Sequence, residues 1–313
     1  MSKVLVVLAT YNGERYLRFF LDSLCAQTLP VTKVIAVDDG SSDASVSILE
    51  SYREKLPLSV FPQKGNRGHR AAFALGLELA QKESSTEDCI ALADQDDIWF
   101  PDKLKILSDN IGDADLIFGD AEVIGKNGEK IADSWRALAG ISSRNSMKEQ
   151  IAGTNNVTGC LSLFRAALLP KILPIPEGVS VHDRWVAMFA RKGNGCKSIT
   201  DKVVQYRLHE SNAIGLGGKL SFSQTLKELG IWLGEILTNA DRLKLSKSEH
   251  QFSSTLLALT ERRLIRGLSL QYLPWILKNR RFLFPSSRGQ ALIKKILFTT
   301  AGIPIATRVF GKK

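Results

Sequence analysis

The chain has 313 residues, 44% of them hydrophobic and 24% charged, with a formal net charge of +10. These averages exclude wholesale disorder, and the length suits one large α/β domain with an appendage rather than a string of small domains. The charge is unevenly placed: residues 262–313 carry twelve basic side chains and no Asp or Glu, so the preceding chain is slightly acidic and the basicity belongs to the tail.

Residues 4–9 form an apolar run too short for a signal peptide, and they read as a buried first strand. Further strands are expected at 34–37, 58–61, 89–93 and 116–119. Between them, Tyr16, Leu17, Phe20, Leu21 and Leu24 recur at helical spacing, as do Val46, Leu49 and Tyr52, then Ala72, Leu75 and Leu79, then Leu104, Leu107 and Ile111. This alternation is the βαβ pattern of a mainly parallel sheet flanked by helices. From 146 to 218 the pattern is mixed, with a polar loop at Gly153-Thr154-Asn155-Asn156, a helix beginning near Val181 and a late strand through Val203, Val204, Tyr206 and Leu208. Gly215-Leu216-Gly217-Gly218 reads as a joint between a catalytic domain, 1–217, and a helical basic extension, 218–313.

Cys25, Cys89, Cys160 and Cys196 form neither a zinc-type pair nor a dense disulfide framework, so reduced thiols are expected. No stretch reaches the ~20 apolar residues a spanning helix needs. The expectation is a cytoplasmic protein, soluble or peripheral on the inner face of the cell membrane.

Two turns carry clustered polar residues, Thr10-Tyr11-Asn12-Gly13 and Asp38-Asp39-Gly40-Ser41-Ser42-Asp43, and a third follows the apolar run 90–93 as Asp94-Gln95-Asp96-Asp97. In open α/β sheets ligands bind beyond the carboxyl ends of the strands, so the three turns are expected to face one cleft. Three carboxylates in four residues repel one another and call for a cation; Mg²⁺ or Mn²⁺ bridging to substrate phosphates is the usual solution. Continued as a strand, Asp94 and Asp96 would point to one side and could serve one ligand, while Asp97 could instead cap the helix near Pro101. In His182-Asp183-Arg184-Trp185, a carboxylate at a helix start is either a general base or an ordinary cap.

The segments Thr10-Tyr11-Asn12-Gly13, Val37-Asp38-Asp39-Gly40-Ser41-Ser42-Asp43, Asn66-Arg67-Gly68 and Ala93-Asp94-Gln95-Asp96-Asp97-Ile98-Trp99, in this order, resemble the bacterial family-2 glycosyltransferases. The D-Q-D-D-I-W form with Pro101-Asp102-Lys103-Leu104 is similar to the rhamnosyltransferase-like branch. Thr158-Gly159-Cys160, His182-Asp183-Arg184-Trp185 and Tyr206-Arg207-Leu208-His209, with Asn212 and Gly215, extend the likeness. The resemblance implies a GT-A fold and a nucleotide-diphosphate sugar donor, dTDP-rhamnose in that branch. It places the donor among Thr10, Tyr11, Asn12, Asp38, Asp39, Asn66, Arg67, Arg70, Asp94 and Gln95, a Mg²⁺ or Mn²⁺ ion on Asp96 with His209, and the catalytic base at Asp183. The implied acceptor is a saccharide or lipid-linked saccharide in surface polysaccharide synthesis. A nucleotidyltransferase would carry a Gly-rich basic loop after its first strand, where this chain has Thr10-Tyr11-Asn12-Gly13-Glu14; a catalytically silent scaffold is the third alternative.

The tail interleaves its basic residues with Tyr272, Trp275, Phe282 and Phe284, which suits an anionic membrane surface. Amphipathic helices packed on the catalytic domain are the alternative. No nucleic-acid partner is expected. Pro274, Pro285 and Pro304 limit the tail to short helices.

Overall fold

The apolar runs near the N-terminus become strands buried on both faces, which is why they show no polar alternation. Val6, Val7, Leu8, Val34, Ile35, Val37 and Ile90 have no solvent exposure, and each such side chain contributes roughly 1.5–3 kcal/mol of burial. The computed structural model describes residues 3–141, 146–210, 221–265, 269–285 and 287–300. In chain order the strands are β1 (Val4–Thr10), β2 (Lys33–Asp38), β3 (Leu58–Pro62), β4 (Cys89–Asp94), β5 (Ile98–Trp99), β6 (Leu116–Ile124), β7 (Lys130–Ala132), β8 (Ser162–Arg165) and β9 (Cys196–Arg207). The helices are α1 (Leu17–Cys25), α2 (Ser45–Ser51), α3 (His69–Glu83), α4 (Lys103–Asn110), α5 (Trp135–Leu138), α6 (Met147–Ile151), α7 (Leu169–Ile172), α8 (His182–Lys192), α9 (Phe222–Thr238), α10 (Lys247–Ile265), α11 (Leu273–Leu283) and α12 (Gly289–Thr300).

Two compact units form. The first comprises Met1–Ala139, Val157–Ile175 and Val181–Gly215; the second comprises Gly140–Asn156, Pro176–Ser180 and Leu216–Lys313. The first unit holds a sheet in the order β3-β2-β1-β4-β8-β6-β9-β5, with β7 on β6. Strands β1 to β4 pair in parallel, β8 runs antiparallel between β4 and β6, and β6 pairs with β9 in parallel. The result is a mixed, mainly parallel sheet with flanking helices.

Register positions the site. Thr10 lies opposite Asp38 and Ala9 opposite Asp94, so the turns after β1, β2 and β4 emerge side by side. Strand β9 then returns to the same edge: Ile124 pairs with Arg207, and the short β5 that follows the acidic turn pairs with β9 through Ile98–Gln205 and Trp99–Val204. Helix α1 buries Leu17, Phe20, Leu21 and Leu24 along one stripe. Helix α3 lies close to β1 because Gly76 faces Val7, where a Cβ would collide with the valine Cγ1.

In the second unit Ser221 caps α9 in a reciprocal capping box with Gln224, and Trp232 Nε1 donates to the Ile151 carbonyl at 3.2 Å. Among the described residues no helix is long and apolar enough to cross a membrane. None of the four cysteines, all among the described residues, forms a disulfide. The expected joint 215–218, the boundary at 217/218, Asn212, and the tail residues Arg266, Leu268, Pro304, Arg308, Lys312 and Lys313 lie outside the described residues.

Candidate active site

The first two turns are tied together by their own polar side chains. Asp38 is buried and accepts from Thr10 Oγ1 at 2.9 Å, the Ser41 amide at 2.9 Å and Ser41 Oγ at 2.5 Å. Its carboxylate thus shapes the turn. Asp39 accepts from the amides of Arg67 at 2.9 Å and Gly68 at 2.7 Å, which moors the Asn66-Arg67-Gly68 loop beside the β1 and β2 ends. A carboxylate offers about four acceptor sites, so Asp39 retains capacity for a ligand N–H. Asn12 adopts φ 44°, its amide donates to Ser41 Oγ and its Oδ1 accepts from the Ser42 amide. The Tyr11 ring is 44% exposed at the rim, free to stack on a planar ligand. Asn66 and Arg67 are exposed, and Arg70 is half-buried in the first turn of α3, where unpaired helix amides favour anions.

The acidic turn is a turn and not a continued strand: β4 ends at Asp94, and Gln95 and Asp96 bend away. The same-side argument for Asp94 and Asp96 therefore does not apply, yet the two remain close enough for each charge to act on the other. Gln95 bridges to the first turn, its Oε1 accepting from the Tyr11 amide and its Nε2 donating to the Tyr11 carbonyl, both at 2.9 Å. Gly13 leaves the room this amide occupies. Asp96 Oδ2 lies 2.8 Å from His209 Nε2, and both side chains keep a small solvent-facing fraction. The His209 ring packs on Tyr16, with centroids 5.1 Å apart.

Asp97 points the other way. It has no solvent exposure, and its Oδ1 accepts from the Arg207 amide at 3.0 Å. It caps no helix; α4 has Asp102 at its N-cap position. Arg207 completes the clamp by donating from Nε to the Asp96 carbonyl at 2.8 Å and from Nη1 to the Gly125 carbonyl at 3.1 Å. One oxygen each of Asp94 and Asp97 and the Cys160 Sγ lie within 4.8 Å of one another. Lys103, fully buried at the start of α4, donates to the Cys160 carbonyl and places Nζ 3.2 Å from the Trp99 ring centroid.

The electrostatics follow from this crowding. Burial, then the charges of Asp96 and Asp183, push the Asp94 carboxyl up to about 7. Burial and the neighbouring Asp96 and Asp94 raise Asp97 well above the usual carboxylate range. Burial pulls Lys103 down to about 7 against the opposing pull of Cys160, Asp97 and Asp94. Asp96 and His209 bring an oxygen and an imidazole nitrogen together, a donor set whose chemistry would suit a divalent cation. Beside the inner trio of Asp94, Asp97 and Cys160, Lys103 donates to the Cys160 carbonyl.

Asp183 is the second residue of α8, with Val181 at the N-cap position. Its Oδ2 accepts from the Gly159 amide at 2.8 Å, in the segment Thr158-Gly159-Cys160, and its charge reaches Asp94. The site therefore has a polar rim carrying the exposed Tyr11 ring, an acidic turn with the Asp96–His209 pair, and a buried carboxylate, Asp183, whose charge acts on that turn.

The family model for glycosyl transferase family 2 matches residues 5–173. The chain belongs to glycosyl transferase family 2. This family-2 protein is 26% identical over 220 residues to an uncharacterised glycosyltransferase of Nostoc sp., a match covering 67% of this chain and 66% of that protein. The chain thus spans about two thirds of that relative's length. It is 25% identical over 234 residues to the dTDP-rhamnosyl transferase RfbG of Shigella flexneri, covering 72% of this chain and 78% of RfbG. The crystal structure of S. aureus TarS 1-349 in complex with UDP-GlcNAc superposes with a TM-score of 0.59 at 19% identity, covering 95% of this chain and 81% of that fragment. That likeness shows the GT-A type fold expected from the sequence.

In this family-2 site Lys103, Ser41 and Arg207 stand in the motifs, but the sequence alone assigns them no role. Each acts through a backbone or buried partner distant in sequence, such as Lys103 with Cys160, 57 residues away. A lysine directly after a strand-turn-helix start, with no helix-end dipole to serve, was the available signal for Lys103.

Proposed function

We propose that the chain is an inverting glycosyltransferase that moves a sugar from a nucleotide-diphosphate donor to a hydroxyl of a saccharide or lipid-linked saccharide in surface polysaccharide synthesis. The single observation that carries the reading is the convergence of the Asp96–His209 pair and the buried Asp183 on Asp94, whose carboxyl feels both acidic neighbours. Tyr11 stacks on the base and Asp39 accepts its ring N–H, while Arg67 and Arg70 at the head of α3 meet the diphosphate. Asp96 and His209 hold Mg²⁺ or Mn²⁺, which when bound neutralises the charge on the leaving diphosphate.

Asp183 takes the acceptor hydroxyl proton as that oxygen forms its bond to the anomeric carbon; the bond from that carbon to the diphosphate oxygen breaks, and its electron pair leaves with the nucleotide. Attack from the face opposite the leaving group inverts the anomeric centre. The Gly159 amide fixes the orientation of the base, and near-attack positioning of this kind supplies much of a transfer rate. RfbG's printed activity and the D-Q-D-D-I-W form make dTDP-rhamnose the first donor to test.

The same reading gives the tail a peripheral role on an anionic membrane surface. Helices α11 and α12 expose Leu277, Ile293 and Leu297 beside Lys278, Lys294 and Lys295. Co-sedimentation with phosphatidylglycerol vesicles, and none with phosphatidylcholine vesicles, is the expected result.

The test of the main reading is sugar-nucleotide hydrolysis or transfer across dTDP-, UDP- and GDP-sugars with Mn²⁺. Turnover of one donor by the wild type, lost on Asp183→Asn, supports it. Equal turnover by that variant excludes Asp183 as the base.

A further inference from the structure

Trp135 lies in none of the motif segments and has no role in the reading above, yet its indole is tied to the loop that orients Asp183. The backbone group that meets the Asp183 carboxylate is the Gly159 amide, at 2.8 Å. That N–H shares a planar peptide unit with the Thr158 carbonyl, so the direction of one fixes the direction of the other. The carbonyl accepts from the Leu161 amide at 3.0 Å as a 3₁₀ turn opens over Gly159–Leu161. Both ends of this peptide unit are therefore engaged, and what remains to be held is Thr158 itself.

Trp135 supplies that hold. Its Nε1 donates to Thr158 Oγ1 at 3.1 Å, across 23 residues of chain. An indole N–H can only donate, so the threonine oxygen is the acceptor and is drawn to one place. The indole is fixed in turn: it is 8% exposed and packs on the Tyr206 ring with centroids 4.6 Å apart. Helix α5, four residues long, is too short to persist by itself, and side chains moor it. Ser134 Oγ accepts from the Ala137 amide at 3.0 Å and donates to Asp120 Oδ2 at 2.5 Å, while the Arg136 amide donates to Asp120 Oδ1 at 3.1 Å. Arg136 Nη1 reaches Ser198 Oγ at 2.6 Å. A continuous path thus runs from β6 through α5 and Thr158 to the carboxylate.

We propose that Trp135 is a positioning residue for Asp183: its N–H pins Thr158, and the pinned Thr158–Gly159 peptide aims the carboxylate at the reacting hydroxyl. This rests on the reading of Asp183 as the base. Gly159 belongs to the same device, because a Cβ there would stand 3.3 Å from the Asp183 Cβ. A tryptophan present only for packing would be replaced by phenylalanine with the ring contact kept. A positioning tryptophan would not, since phenylalanine has no N–H to give.

The experiment compares wild type with Trp135→Phe, Thr158→Val, their double variant and Thr158→Ser. One readout is hydrogen exchange of the Gly159 amide by NMR, which needs no substrate. The other is kcat and KM for hydrolysis of whichever of dTDP-rhamnose, UDP-GlcNAc and GDP-mannose is turned over fastest with Mn²⁺, water standing in for the acceptor hydroxyl. Trp135→Phe and Thr158→Val are each expected to speed Gly159 exchange about tenfold and to lower kcat at least about tenfold with KM unchanged, since a misplacement of about 1 Å can cost about 100-fold. The double variant is expected to match either single one, because both remove the same bond. Thr158→Ser, which keeps the hydroxyl, is expected to behave as wild type. Wild-type exchange and kcat in Trp135→Phe, or losses that add in the double variant, overturn the proposal. A lowered melting temperature with kcat unchanged makes Trp135 structural only and also overturns it. If Trp135→Phe does not fold, Thr158→Val against Thr158→Ser reads the same bond, and equal kcat for those two refutes it. Wild-type turnover by Asp183→Asn rejects Asp183 as the base; in that case, or if the wild type hydrolyses none of the three donors, Gly159 exchange alone decides whether Trp135 holds the peptide.

Discussion

The amide of Gly159 donates to Oδ2 of Asp183 at 2.8 Å, and a Cβ on Gly159 would meet Asp183 Oδ2 and His182 Nε2 at 3.4 Å each. The Asp183 carboxylate, proposed above as the base, is thereby oriented by a backbone amide in a close-packed spot. Asp183→Asn keeps an oxygen for the Gly159 amide and removes the proton acceptor. Turnover is expected to fall about 10²- to 10⁴-fold, the usual contribution of a general base, with the melting temperature and UDP affinity unchanged. Steady-state kinetics beside a thermal melt checks this.

Gly13→Ala tests the bridge between the first and third turns. The new Cβ occupies the space of the Gln95 amide, which makes two hydrogen bonds to the Tyr11 backbone. Losing both, at about 1 kcal/mol each, is expected to raise the Kd for UDP by about tenfold. Isothermal titration reads the change, and an unaltered Kd would remove Gln95 from the donor site.

His182 sets a pH dependence. Burial, with a smaller push from His69, lowers its pKa from 6.5 to about 3, and neither ring nitrogen has a hydrogen-bond partner. Because the folded value lies below the unfolded one, the unfolded chain binds more protons between the two. Stability from this group is therefore present above 6.5 and lost as pH falls toward 3. His182→Phe keeps the stacking on Phe73, 3.8 Å between centroids, and cannot titrate. Between pH 7 and pH 5 the wild type is expected to lose about 2 kcal/mol more than the variant in urea unfolding. Parallel slopes for the two proteins would contradict the assignment.

Gly76→Ala sets helix propensity against packing. Alanine favours the interior of α3 by up to about 1 kcal/mol, but its Cβ collides with Val7 Cγ1 in a fully buried strand. Overpacking costs typically about 1–3 kcal/mol, so the variant is expected to unfold at lower urea concentration than the wild type.

Much of the first unit was legible because parallel strands announce themselves: the runs 4–9, 34–37 and 89–93 are apolar throughout, that at Leu58 is broken only by Ser59, and each is followed by a helical stripe. Strand β8 was not foreseen, since Ser162–Arg165 is four residues long and gains its order from lying between β4 and β6. The front of β9, from Cys196 to Lys202, is mostly exposed and shows no apolar alternation, so its pairing with β6 leaves no mark in composition. At the site, motif residues stood out by type, while their division of labour did not. Asp38 and Asp97 look alike in sequence, yet the Asp38 carboxylate holds Ser41 within its own turn and the Asp97 carboxylate holds the distant Arg207 amide. That distinction depends on which way a turn bends after Asp94, and long-range contacts decide it.

The most direct test of the central claim is the thermal stabilisation of wild type and Asp96→Ala by a sugar nucleotide, with and without Mn²⁺. At about 100 times Kd a bound ligand stabilises by about 2.7 kcal/mol. The account predicts a Mn²⁺-dependent rise in melting temperature for the wild type and none for Asp96→Ala; an equal rise in both proteins would contradict it.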